Sequence, residues 1–141
     1  MSIKTKFFLF FKELFVFNHK SLEFRAKIFT AMFLAKKTRN EEDYDKLREI
    51  IKEIYPDNKT RVDILMATIK EYVKLADTYK SISLDSILRD IDRDLKYKKR
   101  YIKKIDFSHL RRIINLSEDE DDILIQQRVY EFLVAEKKRY E

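Results

Sequence analysis

Residues 22–37 of this chain read LEFRAKIFTAMFLAKK. On a helix of 3.6 residues per turn, the apolar side chains of this stretch cover almost the whole circumference. A helix that is apolar on nearly every side has to be covered by other elements, so the stretch predicts a central helix around which the rest of the chain packs. Its apolar positions are Phe24, Ile28, Phe29, Ala31, Met32, Phe33, Leu34 and Ala35.

The segments that follow repeat apolar residues at intervals of three and four, the period of an amphipathic helix. The clearest repeat runs from Val62 to Ala76, and Pro56 separates it from the helix before it. Helices are expected at residues 41–55, 61–76, 84–95, 107–114 and 118–138, with N-caps at Asn40, Thr60, Ser83 and Ser117. The side chains expected to be almost fully buried are Phe29, Met32, Leu65, Ile69, Leu88 and Ile91.

The composition supports the same class of fold. With 141 residues the chain is expected to form one domain. It contains no Gly, which argues against an all-β fold and excludes glycine-rich nucleotide-binding loops. It contains no Cys, which excludes disulfides, thiolate metal sites and cysteine nucleophiles. The sequence therefore predicts an all-α, single-domain bundle of about seven helices.

The N-terminal residues 1–20 combine aromatic and basic character. Six of the eleven phenylalanines lie in the first seventeen residues, and residues 1–40 carry a net charge of +7 (nine Lys and Arg, two Glu) while the remainder carries −1. The apolar run is too short to span a membrane, which takes about 20 apolar residues. We expect an amphipathic helix that docks on a protein or on an anionic membrane face. The alternative, that this helix belongs to the core, stays open. The candidate docking residues are Phe7, Phe8, Phe10, Phe11, Leu14 and Phe15, with Lys4, Lys6 and Lys12 at the headgroups.

A second basic region interleaves cations with tyrosines near residues 97–105. If this region is helical, Tyr97, Tyr101 and Ile105 share one face and the cations form a solvated stripe. Such a stripe suits a protein partner, and the mixture of aromatic and basic residues also suits nucleic acid. Its members are Lys96, Lys98, Lys99, Arg100, Lys103 and Lys104.

No catalytic or metal-binding motif is evident. His19 and His109 are isolated, whereas a metal site needs three or four ligands. The acidic run at residues 118–122 lacks the alternating order and the Gly of a calcium loop, and it suits the first turn of a helix. We therefore expect no cofactor, no metal and no enzymatic activity.

The stretch Ala35-Lys36-Lys37-Thr38-Arg39-Asn40-Glu41-Glu42-Asp43 resembles the first helix–loop–helix of the TerB-like family, with its small residue, cap and acid at Ala35, Asn40 and Asp43. A weaker second copy resembles it at residues 113–120, with Leu116, Ser117 and Glu120 in the apolar, cap and acid positions. The family's loop Asp is Lys36 in the first copy and Ile113 in the second, and its Gly is Lys37 and Ile114. The resemblance thus implies a TerB-like domain over residues 21–141 without the carboxylate that helps to bind metal in the family.

Members of that family act as protein-interaction modules and in envelope-associated stress complexes. The resemblance therefore implies a non-enzymatic cytoplasmic adaptor. From the composition of its N-terminal helix we expect this adaptor to dock on a protein partner or on the inner membrane face. The alternative function is a nucleic-acid-binding module that uses the basic stripe at residues 96–104.

Overall fold

A computed structural model describes residues 20–80 and 82–141 of the chain. These residues contain six α-helices, one 3₁₀ helix and no strand, which confirms the predicted all-α bundle. The helices are α1 (Lys20–Leu34), α2 (Glu41–Ile54), α3 (Lys59–Thr78), α4 (Leu84–Tyr97), η1 (Lys99–Lys104), α5 (Phe107–Leu116) and α6 (Glu120–Tyr140).

Helix α1 is the central element, as its apolar sequence predicts. It packs against α3, α4, η1, α5 and α6, and every residue from Ala26 to Phe33 is buried. The boundary expected between residues 20 and 21 falls inside this helix, which already includes Lys20 and Ser21. The Phe-rich residues before Lys20 lie outside the described part of the chain.

The helix N-termini are closed by side chains, because the first amides of a helix have no partner within it. Asn40 and Asp43 form a reciprocal capping box on α2, and Ser83 caps α4 in the same way with Ser86, so these two predicted caps are confirmed. The other two were wrong by two residues: Asn58 caps α3 in place of Thr60, and Asp119 caps α6 in place of Ser117. The hydroxyl of Ser117 instead donates to Gln126 Oε1 at 2.6 Å inside the core.

Six side chains were expected to be almost fully buried. Five of them are buried in the structure, and Leu88 is the exception. It is only half-buried because the inward line of α4 runs through Ile87, Ile91 and Leu95, which lie four residues apart. Leu88 is one residue, or about 100°, around the helix from that line. None of the described helices is long and apolar enough to cross a membrane.

Candidate functional site

The docking residues predicted in the N-terminal segment lie outside the described residues. They are Phe7, Phe8, Phe10, Phe11, Leu14, Phe15, Lys4, Lys6 and Lys12. The other predicted site, the basic stripe at residues 96–104, is described in full.

The basic stripe does not continue α4 as one helix. Helix α4 ends at Tyr97, Lys98 takes a non-helical conformation (φ −136°, ψ 82°), and η1 follows with three residues per turn. The change of period separates residues that an α-helix would place on one face. Tyr97 is 82% exposed whereas Tyr101 is 6% exposed. The prediction that Tyr97, Tyr101 and Ile105 share one face was therefore wrong.

The cations of this region face outward around a buried aromatic ring. Tyr101 packs on Phe24 of α1 with 5.1 Å between ring centroids. The Lys98 ammonium and the Arg100 guanidinium lie 5.6 and 5.8 Å from the centroid of the Tyr101 ring. Cation–π contacts of this kind favour particular positions of long side chains. Two of the basic groups are thus held by a residue that belongs to the core.

We call the outward-facing cations of this region the basic end; they are Lys98, Lys99, Arg100, Lys103 and Lys104. Within residues 20–80 and 82–141, no carboxylate lies at ion-pair distance from any of them. A concave surface of about 420 Å³ opens between η1 and the start of α1, and Lys20 and Ser21 line its other side. The arrangement is a positive concavity whose charge is not neutralised by the described chain, so it suits an anionic partner.

The two segments that resemble the TerB-like motif, residues 35–43 and 113–120, line one concave surface. We call residues 35–43 together with residues 117–122, where α6 begins, the loop corner. The Lys37 amide donates to Asp122 Oδ1 at 3.0 Å, and the Lys37 ammonium meets Asp121 Oδ2 at 3.0 Å. The Lys36 ammonium lies 3.0 Å from Asp43 Oδ1. Burial opposes ionisation of Asp43, but the Asn40 amide and the Lys36 charge outweigh it and lower the pKa of this carboxyl.

At the loop corner, the lysine ammonium groups therefore form ion pairs with carboxylates of the same region. The acidic run at residues 118–122 serves mainly as the start of α6, where Asp119 accepts a hydrogen bond from the Asp122 amide at 3.0 Å. In the described part of the chain, no group of three His, Asp or Glu side chains is arranged to hold a metal ion. His109 bonds locally, with Nδ1 2.7 Å from Asp106 Oδ2.

Two polar networks inside the bundle escaped the sequence analysis. Lys27 is buried on α1 and pairs with Asp94 of α4 at 2.8 Å. On the opposite edge of α4, Tyr140 donates to Asp92 Oδ1 at 2.7 Å, and the buried Glu136 lies beside Asp92. Burial, the hydrogen bond with Asp92 and the charge of Asp92 together raise the pKa of Glu136 to about 7.

A sequence feature marks only the first of these networks. Lys27 is a charged residue in the middle of an otherwise apolar helix, and a buried ammonium requires a partner. Nothing in the local sequence distinguishes Glu136 from the exposed glutamates of α6. Comparison of the chain with protein-family models, curated proteins and solved structures finds no match.

Proposed function

We propose that this chain is a non-enzymatic, TerB-like adaptor that docks on the anionic inner face of a membrane from the cytoplasmic side. The observation that carries the proposal is the location of the basic end. Four of its five cations line a concavity that Lys20 also lines, and the Phe-rich segment is joined to the chain at Lys20. The basic surface therefore lies at the end of the bundle where the described chain begins.

This combination matches a known requirement of peripheral membrane proteins. A single apolar anchor binds a bilayer weakly, and stable attachment takes a second contribution such as a polybasic patch. Each Lys or Arg near an anionic surface contributes about 1 kcal/mol of attraction. The phenylalanines of the segment would supply the apolar contact, and the basic end would supply the electrostatic one.

The proposed role in a family of adaptors rests on the loop corner. The two motifs line one concave surface, and the Lys37 amide donates to Asp122, two residues after the second motif, as expected of a duplicated helix–loop–helix unit. In place of an ion, the ammonium groups of Lys36 and Lys37 meet the acids of these loops. A role in protein assembly and envelope stress follows from the resemblance only.

Vesicle flotation tests the membrane proposal. The full chain should float with vesicles of phosphatidylcholine and phosphatidylserine and stay behind with phosphatidylcholine alone. A variant lacking residues 1–17 should remain helical and fold cooperatively in circular dichroism melting but lose flotation. If the truncated chain unfolds, the segment belongs to the core and docking through it is wrong.

Charge substitutions test the other half of the proposal. Lys99→Gln with Lys103→Gln should weaken flotation, because both side chains are exposed and unpaired at the basic end. Lys74→Gln with Lys80→Gln is the matched control, since it removes the same charge from exposed lysines outside the basic end. Equal effects of the two double variants would show that only net charge matters and would contradict the proposal.

The second candidate function is nucleic-acid binding, and the exposed ring of Tyr97 favours it. A base can stack on an exposed aromatic ring that stands between cations, here Lys96 and Lys98. Binding of single-stranded RNA should then weaken steeply with salt and be reduced by Tyr97→Ala. Flotation with vesicles should not depend on Tyr97, so the same variant separates the two functions.

A further inference from the structure

Four cations from three different elements meet at one edge of the basic end. They are Arg25 of α1, Arg61 of α3, and Arg100 and Lys104 of η1. Arg25 Nε donates to the backbone oxygen of Lys104 at 3.4 Å, which joins α1 to η1. Burial and the nearby positive charges of Arg25, Arg61 and Arg100 lower the pKa of the Lys104 ammonium. The three arginines therefore lie near enough to Lys104 for their positive charges to act on its ammonium group.

A tyrosine holds two of these cations in place. The Tyr55 hydroxyl accepts a hydrogen bond from Arg25 Nη1 at 2.5 Å. The guanidinium groups of Arg25 and Arg61 lie 5.2 and 5.7 Å from the centroid of the Tyr55 ring. All three side chains are half-buried, so they are partly shielded from water and still reachable. Their positions come from the ends of helices, since Tyr55 follows α2 and Arg61 lies in the first turn of α3.

The cluster has no counter-charge of its own. Within the part of the chain that the structure describes, no carboxylate lies at ion-pair distance from Arg25, Arg61, Arg100 or Lys104. Arg39, Arg48, Arg93, Arg112 and Arg139 each pair with a carboxylate, whereas Arg25 and Arg61 meet on the Tyr55 ring instead. Like charges held together without an anion cost folding free energy, and a bound anion would offset this cost.

The chemistry of the cluster selects the type of anion. A guanidinium offers planar pairs of N–H donors that match the oxygens of a phosphate group. A phosphate monoester has three free oxygens and a charge between about −1.5 and −2, whereas a phosphodiester or a carboxylate has fewer oxygens and a single charge. Four cations that include three guanidinium groups therefore fit a phosphate monoester best.

We propose that Arg25, Arg61, Arg100 and Lys104 form a binding site for the phosphate monoester headgroup of a membrane lipid. This inference rests on the proposed membrane function and adds to it a preference for one class of headgroup. In this view Lys99 and Lys103 attract any anionic surface, while the cluster held by Tyr55 distinguishes a phosphate monoester from other anionic headgroups.

The test uses the full chain and two kinds of vesicle that are matched in total negative charge. One kind contains phosphatidic acid, a phosphate monoester, and the other contains phosphatidylserine. The chain should bind the phosphatidic acid vesicles about tenfold more tightly, which corresponds to one or two additional charge-assisted hydrogen bonds. Equal binding to both would overturn this site and leave the membrane function in place. Binding to neither would overturn both proposals.

Substitutions assign the preference to the cluster. Arg25→Gln with Arg61→Gln should abolish the preference while leaving the weaker binding to phosphatidylserine. Arg25→Lys with Arg61→Lys keeps the charge and loses the paired donors, so it should reduce the preference and stay folded. Arg89→Gln with Arg128→Gln is the matched control at exposed positions and should change nothing. A preference that survives in both cluster variants would show that these arginines do not form the site.

A titration with inorganic phosphate separates the lipid from a soluble source. Weak or no binding of free phosphate, together with the lipid preference, supports a headgroup site. If inorganic phosphate saturates the chain in solution and removes its preference among vesicles, the cluster is a site for a soluble phosphate and the lipid assignment is wrong.

Discussion

The loop corner and the basic end contain the same kinds of cation in opposite situations. At the loop corner, Lys36 and Lys37 each lie 3.0 Å from a carboxylate oxygen. At the basic end, Lys99 and Lys103 are exposed, and in the described chain no carboxylate pairs with them. The count of lysines therefore does not show which surface is available to a partner. The position of the acids in the fold shows which lysines remain without a carboxylate partner.

The difference arises from how the two regions are assembled. The loop corner brings together two loops that are about 80 residues apart in sequence, and one of them carries the acids that start α6. The basic end is built largely from one segment of consecutive residues that contains no acid between Lys96 and Ile105. The loop corner is joined by contacts between distant parts of the chain, whereas the cations of the basic end have no carboxylate partner in the described chain.

The loop corner and the basic end are supported by the same hydrophobic core. Leu65→Ala tests this core, and we expect it to lower stability more than any other substitution proposed here. Leu65 is fully buried on α3, so its truncation should lower the free energy of unfolding by about 2–5 kcal/mol in chemical denaturation. Leu124→Ala is the control, since Leu124 is 52% exposed and its loss should cost little. A loss for Leu65→Ala of less than about 1 kcal/mol would mean that the core is assigned incorrectly.

Asp122→Ala should remove a contact of the loop corner and lower the free energy of unfolding by less than Leu65→Ala does. The buried Asp122 carboxylate accepts a hydrogen bond from the Lys37 amide, and its removal should cost about 1–3 kcal/mol of unfolding free energy. Asp122→Asn keeps an oxygen acceptor and should cost less. Lys103→Gln at the basic end should stay within about 0.5 kcal/mol of the parent. Similar losses for Asp122→Ala and Lys103→Gln would remove the distinction between the two regions.

Two acids of the bundle also differ in whether a cation pairs with them, and this difference predicts that the stability of the fold depends on pH. Asp94 pairs with Lys27, whereas Glu136 faces Asp92 and has a pKa of about 7 instead of 4.5. A raised pKa means that the folded state holds this proton more tightly than the unfolded state does. The stabilising contribution is therefore complete below about pH 4.5 and is lost as the pH rises toward about 7.

Thermal melting should show this loss as a decrease in Tm between about pH 5 and about pH 8. Over the same range the free energy of unfolding should fall by an amount on the order of 1 kcal/mol. Glu136→Gln should flatten the dependence, because an amide can donate to Asp92 without titrating. Glu131→Gln, at an exposed position of the same helix, should leave it unchanged. A pH profile that is identical in the parent and in Glu136→Gln would show that this carboxyl does not couple to folding.

Divalent metal should have the smallest effect of all. Because the Lys36 and Lys37 ammonium groups already meet the acids of the loop corner, calorimetry with millimolar Ca²⁺, Mg²⁺ or Zn²⁺ should give no saturable isotherm. A one-to-one isotherm that disappears in Asp43→Ala or Glu120→Ala would contradict this expectation and would make the corner a binding site after all.

Local chemistry explains which parts of the fold were predictable. The helices follow from apolar spacing, and Asn40 and Ser83 cap α2 and α4 as expected. The two misplaced caps have one cause, since Asn58 and Asp119 lie two residues from Thr60 and Ser117 and are also cap-forming residue types. Local sequence therefore offers two adequate caps at each of these helix starts and does not choose between them.

The candidate site was only partly predictable for a related reason. The cations of the basic end are consecutive and can be recognised in the sequence. The change to a 3₁₀ helix after Tyr97, which exposes that ring, was not expected. Neither was the meeting of Arg25, Arg61 and Lys104, which depends on where α1, α3 and η1 lie relative to one another.

Amphipathic spacing, the absence of Gly and the apolar residues 22–37 were sufficient to establish an all-α bundle around a buried helix. These are properties of single helices, and each acts over a few residues. Which lysines are neutralised, which arginines share a tyrosine and which glutamate keeps its proton were decided by helix packing. The reason is physical: ion pairs and pKa shifts depend on distances of a few ångströms, and contacts such as Arg25–Tyr55 and Lys37–Asp122 join residues that are 30 and 85 positions apart in the chain.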